Sequence, residues 1–236
     1  MKIIHCLVLM WSIVVGGGHS NAQHRDKYPE YGSFSIFLGP DFPEYTKMDF
    51  YDVFYKEYST RLNFGFAFYP LKSENFAFGG GFNFSMYSDD GVMAVPSGSG
   101  YESVDSEGTL SVQQYDLFAS LLFSPFAFQR LGVGVKVGYS SLTFAETRND
   151  VVEAADDDED KIQKNEGDDS LLLTGVSLMV DITPLEESPV YSMIATLGID
   201  KVYIEPFYTN YASMDDKRAD WSSSSYGMMF GFEAMR

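Results

Sequence analysis

Side chains that act as nucleophiles or bases near neutral pH are scarce in this sequence. Its 236 residues include one cysteine, Cys6, and three histidines, His5, His19 and His24. Catalysis by a thiol, or by a hydroxyl that a histidine activates, therefore lacks its parts. A hydrolase that uses only carboxylates is the one enzymatic alternative left. We predict no enzyme activity, no cofactor and no metal site.

Long uninterrupted apolar runs are confined to the start of the chain. Lys2 precedes an apolar run at 3–15, and Ser20 and Ala22 place small residues at the −3 and −1 positions before Gln23. The run is too short to span a bilayer. This pattern predicts a cleaved secretory signal peptide, so the protein is exported.

Removal of the signal peptide, residues 1–22, leaves residues 23–236, which are one domain by the usual size of domains. This domain has no cysteine, because Cys6 lies in the signal peptide. It therefore contains no disulfide and no thiol for lipid attachment. Aromatic residues are plentiful, at 16% of the whole chain.

The stretch 61–87 alternates large apolar residues with small or polar ones, which is the period of a β-strand. A break at 70–75 divides it into the two strands of a hairpin. The second face consists mainly of Gly, Ala, Ser and Asn. The first face carries Leu62, Phe64, Phe66, Phe68, Phe76, Phe78, Phe82, Phe84 and Met86.

The small, polar face separates two classes of barrel. A soluble sheet covers its outer face with charged and polar residues, whereas small residues suit the crowded interior of a membrane barrel. The phenylalanine face then points into lipid, which is the alternating pattern of a transmembrane β-barrel. The alternative is a soluble lipocalin-like carrier, in which the phenylalanine face lines a pocket for an apolar ligand.

The same alternation recurs in six further segments, which brings the predicted number of strands to eight. They are 31–39, 114–123, 131–139, 170–182, 191–199 and 226–234. Strands of about 9–11 residues cross a bilayer at a tilt. We predict an all-β fold, an eight-stranded antiparallel up-and-down transmembrane β-barrel.

The predicted connections differ in length and charge. Some are short turns, and the long ones are 40–59, 88–109, 145–169 and 205–222. These long segments hold 25 of the 34 Asp and Glu residues (5, 5, 11 and 4 in chain order), so most of the formal charge of −18 is predicted at one rim. Such a charge argues against nucleic acid as a partner. Short periplasmic turns opposite long extracellular loops are typical of bacterial outer-membrane barrels.

In this arrangement the chain resembles the small eight-stranded outer-membrane barrels of Gram-negative bacteria, the OmpA-like and OmpX-like architecture. The resemblance covers the mature chain as topology and includes no motif of a particular member. It implies an outer-membrane location and contact with lipid and lipopolysaccharide. It also implies a monomer.

Charged residues on the small, polar faces are predicted to form a network in the lumen. An arginine or lysine that faced lipid at the bilayer centre would cost about 2–4 kcal/mol, which favours an inward position. Reflection of the fourth strand onto the fifth, about a turn near Phe126, predicts that Asp116 pairs with Lys136. Because such a barrel has room only for side chains, a structural plug is favoured over a conduction pathway. The candidate residues are Arg61, Asp116, Lys136, Asp181, Asp200 and Glu233.

Two further patterns have both a structural and a functional interpretation. The acidic run at 156–160 has the spacing of an EF-hand, but Lys161 stands where glycine is required and Gly167 where glutamate is required. We predict a solvated loop there, with weak bridging of divalent cations to anionic headgroups as the alternative. Aromatic residues near strand ends predict an interfacial girdle, with a sugar-stacking platform as the alternative. They are Tyr58, Tyr87, Tyr139, Tyr203, Trp221 and Tyr226.

Three functions are consistent with these patterns. The leading hypothesis is a non-enzymatic outer-membrane barrel with a structural or surface-interaction role through acidic extracellular loops. The second is a narrow porin-like channel for small solutes, and the third is the soluble lipocalin-like carrier. A rise in bilayer conductance with the purified protein would indicate the channel, and solubility without detergent would indicate the carrier.

Overall fold

The secondary structure of the described residues is almost entirely β-strand. The computed structural model describes residues 32–46, 60–73, 75–97, 100–125, 131–148, 164–183, 199, 201–214 and 220–235. The predicted signal peptide and the acidic run at 156–160 lie outside these ranges. No helix within them has the length and apolar character needed to cross a membrane.

Eight strands make up the described part of the chain. They are β1 (Ser33–Tyr45), β2 (Arg61–Lys72), β3 (Phe76–Ser97), β4 (Gly100–Phe123), β5 (Leu131–Arg148), β6 (Lys164–Asp181), β7 (Lys201–Ser213) and β8 (Ser223–Met235). Each strand pairs antiparallel with the next, and β8 pairs with β1, which closes the barrel. The predicted eight-stranded up-and-down barrel is confirmed. We call the end at which β1 leads to β2 the loop end, and the opposite end the turn end.

The tilt of the strands follows from their register. Paired residues lead from Ser35 around the barrel through β2 to β8 and return to β1 at Tyr45, ten residues further along. A stagger of this size in eight strands requires a tilt of roughly 40°. Transmembrane barrels have strands tilted by this amount.

The large apolar residues of the 61–87 hairpin face outward. Phe64 and Phe66 are 53% and 43% exposed, whereas Asn63 and Ala67 beside them are buried. Exposed apolar side chains recur on every strand and form a continuous apolar belt. A belt of this extent requires a bilayer to cover it. The lipocalin-like alternative is therefore wrong, because it needs the phenylalanine face inside.

Glycines on the inner face make room for aromatic rings. Phe37 lies against Gly65 and Tyr203 against Gly231, each across a strand pair. A Cβ atom on Gly231 would lie 2.0 Å from the Tyr203 ring. These contacts explain why glycines are frequent on the inner face: each of these rings lies over a residue that has no side chain. The same arrangement occurs at Phe118 and Gly81, Phe144 and Gly167, and Phe207 and Gly227.

One predicted long loop is mostly strand. β3 and β4 continue as a paired ribbon, from Met86 opposite Gln113 to Ser97 opposite Gly100. The predicted loop at 88–109 therefore consists mainly of two paired strands. Strands outside the bilayer need no apolar face, so this segment is rich in Ser, Gly and Asp. It therefore lacks the alternation that would have predicted the two strands.

The seventh strand lies further along the chain than its sequence pattern suggests. It is Lys201–Ser213, and it includes residues that the sequence assigns to a long loop starting at 205. Glu205 and Pro206 interrupt the apolar alternation there, which is why the pattern indicates a loop. The predicted strand at 191–199 lies outside the described residues except for its last position.

Candidate functional site

Arg61 is the centre of a buried polar network in the lumen, nearer the loop end. Its Nε donates to Asp41 Oδ1 at 3.0 Å, and its Nη2 donates to Asp41 Oδ2 at 2.6 Å, while Nη1 donates to Gln114 Oε1. The Arg61 Cζ atom also lies 5.4 Å from the centroid of the Tyr211 ring. Arg61 and Asp41 are each 1% exposed. Two charge-assisted hydrogen bonds to one carboxylate make this a strong and directional pair.

Asp116 extends the same network across the barrel. Ser225 adds β8 to the network, because its Oγ donates to Asp41 Oδ2 at 2.5 Å. The connected residues come from six strands, β1 to β4, β7 and β8. We call this set the Arg61 network. The Asp116 carboxylate accepts hydrogen bonds at 2.9–3.1 Å from Gln114, Asn83 and Tyr211.

Aromatic rings close the lumen on the loop side of the Arg61 network. Trp221 packs edge-on against Tyr45, with ring centroids 5.4 Å apart, and against Phe144 at 4.8 Å. The hydroxyls of Tyr45 and Tyr87 lie 2.5 Å apart. Asp169 on β6 accepts a hydrogen bond from the Trp221 backbone N–H at 3.1 Å, which holds the backbone of Trp221 against β6. We call these four rings the aromatic cap.

A second ion pair lies on the turn side of the Arg61 network. Lys136 Nζ on β5 is 2.9 Å from Glu205 Oε1 on β7, so the pair spans the inner face of β6. The same ammonium lies 5.7 Å from the ring centroid of Phe37 and 5.4 Å from that of Phe118. Contacts with two ring faces and one carboxylate offset the cost of burying the charge.

A third pair, between Lys72 and Glu233, closes the turn end. Both side chains are largely buried and in direct contact. Between this pair and the Lys136–Glu205 pair lies a cavity of about 20 Å³, which has room for about one water molecule. Its lining includes both pairs together with Ser120, Ser177 and Met179. We call it the turn-end cavity.

The sequence-predicted lumen residues lie at three separate levels. Arg61 and Asp116 belong to one network, whereas Lys136 and Glu233 belong to the two lysine–glutamate pairs. Asp181, at the turn end of β6, accepts a hydrogen bond from the Thr183 backbone N–H at 2.9 Å. Asp200 lies outside the described residues. The structure therefore brings Arg61 and Asp116 together through Gln114 and keeps Lys136, Asp181 and Glu233 apart from them.

The predicted pair between Asp116 and Lys136 is wrong. In the register of β4 and β5, Asp116 faces Ser140, and Lys136 faces Ser120. The prediction takes Phe126 as the midpoint between paired residues of β4 and β5, whereas the observed register puts that midpoint two residues later. A shift of the midpoint by one residue moves each predicted partner by two residues. The resulting error of four residues separates the two side chains along the barrel axis.

The predicted aromatic girdle is correct in part. Tyr87, Tyr203 and Trp221 point into the lumen and are buried, so they do not belong to a girdle. Their inward direction follows from the parity of their strands, which the criterion of being near a strand end ignores. Tyr58 lies outside the described residues. The tyrosines that face lipid toward the loop end are Tyr115, Tyr139, Tyr208 and Tyr226.

Sequence reasoning missed the partners of the charged residues. Asp41 continues the inward parity of β1 by two residues beyond the predicted strand, so a longer strand would have revealed it. Lys72 points inward because a register shift between Phe68 and Leu71 inverts the parity, for which Pro70 is the only sign. Asp41, Asp169 and Glu205 are buried although the sequence assigns them to acidic loops. Four lumen residues were therefore not predicted from the sequence: Asp41, Lys72, Asp169 and Glu205.

Metal binding finds no support in the described part of the chain. No group of three or more His, Cys, Asp or Glu side chains is arranged there to hold a metal ion. The acidic run at 156–160 is not part of that search, since it lies outside the described residues. The lumen is thus a set of ion pairs, hydrogen bonds and packed rings.

Comparisons with known proteins bear on the fold alone. No protein-family model matches the chain, and no curated protein matches it. Solved structures that match include Ail, the attachment invasion locus protein of Yersinia pestis, at 12% identity and a TM-score of 0.46, covering 87% of this chain and 99% of Ail. The outer membrane protein OprG of Pseudomonas aeruginosa matches at 10% identity and a TM-score of 0.47, covering 88% of this chain and 98% of OprG. The outer membrane enzyme PagL matches at 9% identity and a TM-score of 0.39, covering 84% of this chain and 97% of PagL.

At these identities and scores the likenesses carry no information about activity. The closed strand pairing and the apolar belt establish the architecture by themselves. Only closed barrels and helices satisfy every backbone hydrogen bond within a bilayer, and antiparallel barrels of this kind are those of outer membranes. This architecture, with its apolar belt outside and its ion pairs inside, is that of an integral outer-membrane β-barrel.

Proposed function

We propose that the protein is a non-enzymatic outer-membrane barrel that acts as a closed scaffold and meets its surroundings at the loop end. The observation that carries this proposal is the filled lumen. A solute that entered would meet the aromatic cap, the Arg61 network, the Lys136–Glu205 pair with its two rings, and the Lys72–Glu233 pair in succession. Conduction requires a continuous path lined by water or by weak binding sites.

The Arg61 network also supports a role that depends on rigidity. It connects six strands by side-chain hydrogen bonds, so these strands cannot shift in register independently. A buried network of hydrogen bonds and one ion pair stabilises one arrangement of the strands over others. A barrel braced in this way holds its loop end in a constant shape, which suits a structural or surface-interaction role.

The ribbon of β3 and β4 supports an exposed function at the loop end. β2 pairs with β3 from Leu62 opposite Met86 toward the turn end, whereas β3 and β4 remain paired up to Ser97 and Gly100. The ribbon therefore rises beyond the level at which β2 begins. Its exposed side chains are polar where they are described; Thr109 Oγ1, for example, donates to Asp90 Oδ1 at 2.7 Å.

The composition supports the absence of enzymatic chemistry. Residues 25–236 contain no histidine and no cysteine, so a base or thiol would have to be replaced by carboxylates alone. In the described lumen, Asp41, Glu205 and Glu233 are engaged with cationic side chains. A carboxylate held in an ion pair is a weak base and a poor nucleophile.

Lipid and lipopolysaccharide are the partners that we propose for a monomeric barrel. Glu166 and Asp168 face outward at the loop end of β6, above the lipid-facing Tyr139 on the neighbouring strand. Carboxylates at that height would contact anionic headgroups through divalent cations. A chelator should then lower the unfolding temperature in bilayers that contain lipopolysaccharide and leave it unchanged in phosphatidylcholine bilayers. If the chelator changed the unfolding temperature equally in both bilayers, divalent cations would not bridge these carboxylates to lipopolysaccharide.

Current recordings in planar bilayers test the closed scaffold. The folded protein should give no stepwise current, while a general porin in the same membrane provides the positive control. The variant Lys136→Ala/Glu205→Ala removes one ion pair without leaving an unpaired charge, and it should remain silent because the other plugs persist. Regular open-channel steps from the unaltered protein would contradict the proposal and favour the narrow porin-like channel.

A further inference from the structure

The ladder between β6 and β7 is interrupted near the middle of β7. Pairs run from the loop end as far as Ser177 opposite Phe207, and they resume at Val180 opposite Ile204. The two missing pairs are those of Pro206 and its neighbour Glu205. Proline has no N–H group and cannot donate to a ladder, which accounts for an interruption at this point.

A second proline interrupts the wall two strands away. The β1–β8 ladder stops at Leu38 opposite Phe230 and resumes at Asp41 opposite Gly227. In that register Pro40 faces Met228, which is the residue that pairs with Pro206 across β7 and β8. At this level β6, β7, β8 and β1 each contribute one residue. Of the three neighbouring pairs, only Pro206 and Met228 are ladder partners. The row consists of Leu178, Pro206, Met228 and Pro40, and we call it the proline row.

Missing ladder pairs are costly at this depth. Within the hydrocarbon core no water is present to replace a lost backbone hydrogen bond, so irregular backbone occurs there only where protein or a water-filled cavity satisfies it. The proline row lies in the apolar belt, between the lipid-facing Tyr208 and Ile204 of β7. Its inner side must therefore supply what the ladder lacks.

The turn-end cavity lies directly behind this row. Ser177, Met179 and Glu205 line the cavity and flank the interruption between β6 and β7. The Ser177 hydroxyl oxygen is buried and makes no hydrogen bond within the described residues. Apolar side chains share the lining with the lysines, glutamates and serines, and the space is that of one water molecule, so the cavity fits a water that these polar groups would hold.

The Lys136–Glu205 pair lies inside the barrel, beside the interruption of the β6–β7 ladder. Glu205 is adjacent to Pro206, and its partner stands on β5, so the ion pair clamps β7 to β5 across the inner face of β6. The Arg61 network holds β7 and β8 toward the loop end, and the Lys72–Glu233 pair holds β8 at the turn end. The middle of the β6–β7 and β8–β1 seams lacks ladder pairs, and the Lys136–Glu205 pair is the ion pair beside it.

We propose that the barrel wall opens locally at the proline row, with Lys136–Glu205 as the latch, and that water in the turn-end cavity exchanges with the backbone there. The opening is confined to the middle of the β6–β7 and β8–β1 seams. It brings the backbone of these seams into contact with the water of the cavity, and it requires no pore along the barrel axis.

Hydrogen–deuterium exchange in D₂O measures this opening on the full protein folded in lipid nanodiscs. Backbone amides at 177–180 of β6 and 227–230 of β8 should exchange at least tenfold faster than amides at 80–83 of β3, which lie in uninterrupted ladders. Equal exchange in all three segments would overturn the proposal.

Restoring the backbone N–H that Pro206 lacks should protect the β6–β7 ladder from exchange. Pro206→Val should slow exchange at 177–180 at least tenfold, and Pro206→Ala serves if the valine variant does not fold. Pro43→Val is the matched control, because Pro43 is paired with Ser225 in an unbroken part of the β1–β8 ladder. A Pro206 variant that folds and exchanges at the rate of the unaltered protein would contradict the assignment of the opening to this proline.

The latch is tested separately. Glu205→Gln should accelerate exchange at 177–180, whereas Glu233→Gln, which loosens the turn end, should not. A disulfide between Val176→Cys and Tyr208→Cys, register partners across the seam, should suppress exchange at 177–180 when oxidised. The matched pair Ile204→Cys and Phe230→Cys joins β7 to β8 and should not. Equal effects of the two disulfides would place the opening elsewhere.

Discussion

Asp41 on β1 and Arg61 on β2 are register partners, and their side chains meet inside the barrel with Arg61 Nη2 2.6 Å from Asp41 Oδ2. Because both are fully buried, removal of one partner leaves an uncompensated charge. We expect Asp41→Ala to lower the free energy of unfolding by about 3–5 kcal/mol. Urea unfolding in detergent micelles, followed by the loss of heat-dependent gel mobility, measures this.

The same pair offers a control for that prediction. The variant Asp41→Leu/Arg61→Met removes both charges and fills the space with apolar groups, so it should recover most of the stability that Asp41→Ala loses. Glu44→Ala, at an exposed position of β1, should change the free energy of unfolding by less than about 0.5 kcal/mol. A cost of Asp41→Ala no larger than that of Glu44→Ala would contradict the buried pair.

The contact between Tyr203 and Gly231 predicts a strongly non-additive pair of substitutions. A Cβ at Gly231 would overlap the buried ring, so Gly231→Ala should destabilise the barrel by about 1–3 kcal/mol. In the background of Tyr203→Ser the same alanine meets no ring and should cost little. A double-mutant cycle from unfolding curves gives the coupling. Additive effects would show that the ring does not rest on this glycine.

Trp221 is the one tryptophan outside the predicted signal peptide, since the other is Trp11. It is 1% exposed within the aromatic cap, so its fluorescence should resist iodide and brominated lipids alike. The matched variant Trp221→Phe/Tyr226→Trp moves the fluorophore to the lipid face of β8, where brominated lipid should quench it. Quenching of Trp221 itself by brominated lipid would return it to the girdle that the sequence pattern suggests.

Phe66 lies in the apolar belt, stacked near Phe34 and Phe82 at centroid distances of 6.0 and 5.9 Å. A lysine there would face hydrocarbon, so Phe66→Lys should cost about 2–4 kcal/mol in bilayers. Phe66→Leu keeps an apolar surface and is the control. Equal stability of the two variants in lipid vesicles would contradict the outward direction of this face.

Strand number, strand parity and the inward direction of Arg61, Asp116, Lys136 and Glu233 could be predicted from the sequence. The reason is physical: alternation with period two is a local property, and the bilayer imposes it on each strand independently. β7 escapes this logic because Glu205 and Pro206 break the alternation, and the ladder itself is broken there.

Partners within the lumen could not be predicted, because they depend on register and on distant strands. An error of two residues in the centre of the β4–β5 turn was enough to pair Asp116 with the wrong residue. The register shift between Phe68 and Leu71 turns Lys72 inward without a clear sign in the pattern. Glu205, the partner of Lys136, lies two strands away, where no local pattern connects the two.

The phenylalanine face of the barrel lies in lipid, and its ion pairs lie inside a closed lumen. Both statements are tested by fractionation of a Gram-negative host that expresses the full chain, with the outer-membrane fraction run on a gel before and after boiling. We expect recovery in that fraction and a shift in mobility on heating, as a folded barrel gives. Recovery as a soluble periplasmic protein without such a shift would contradict the account.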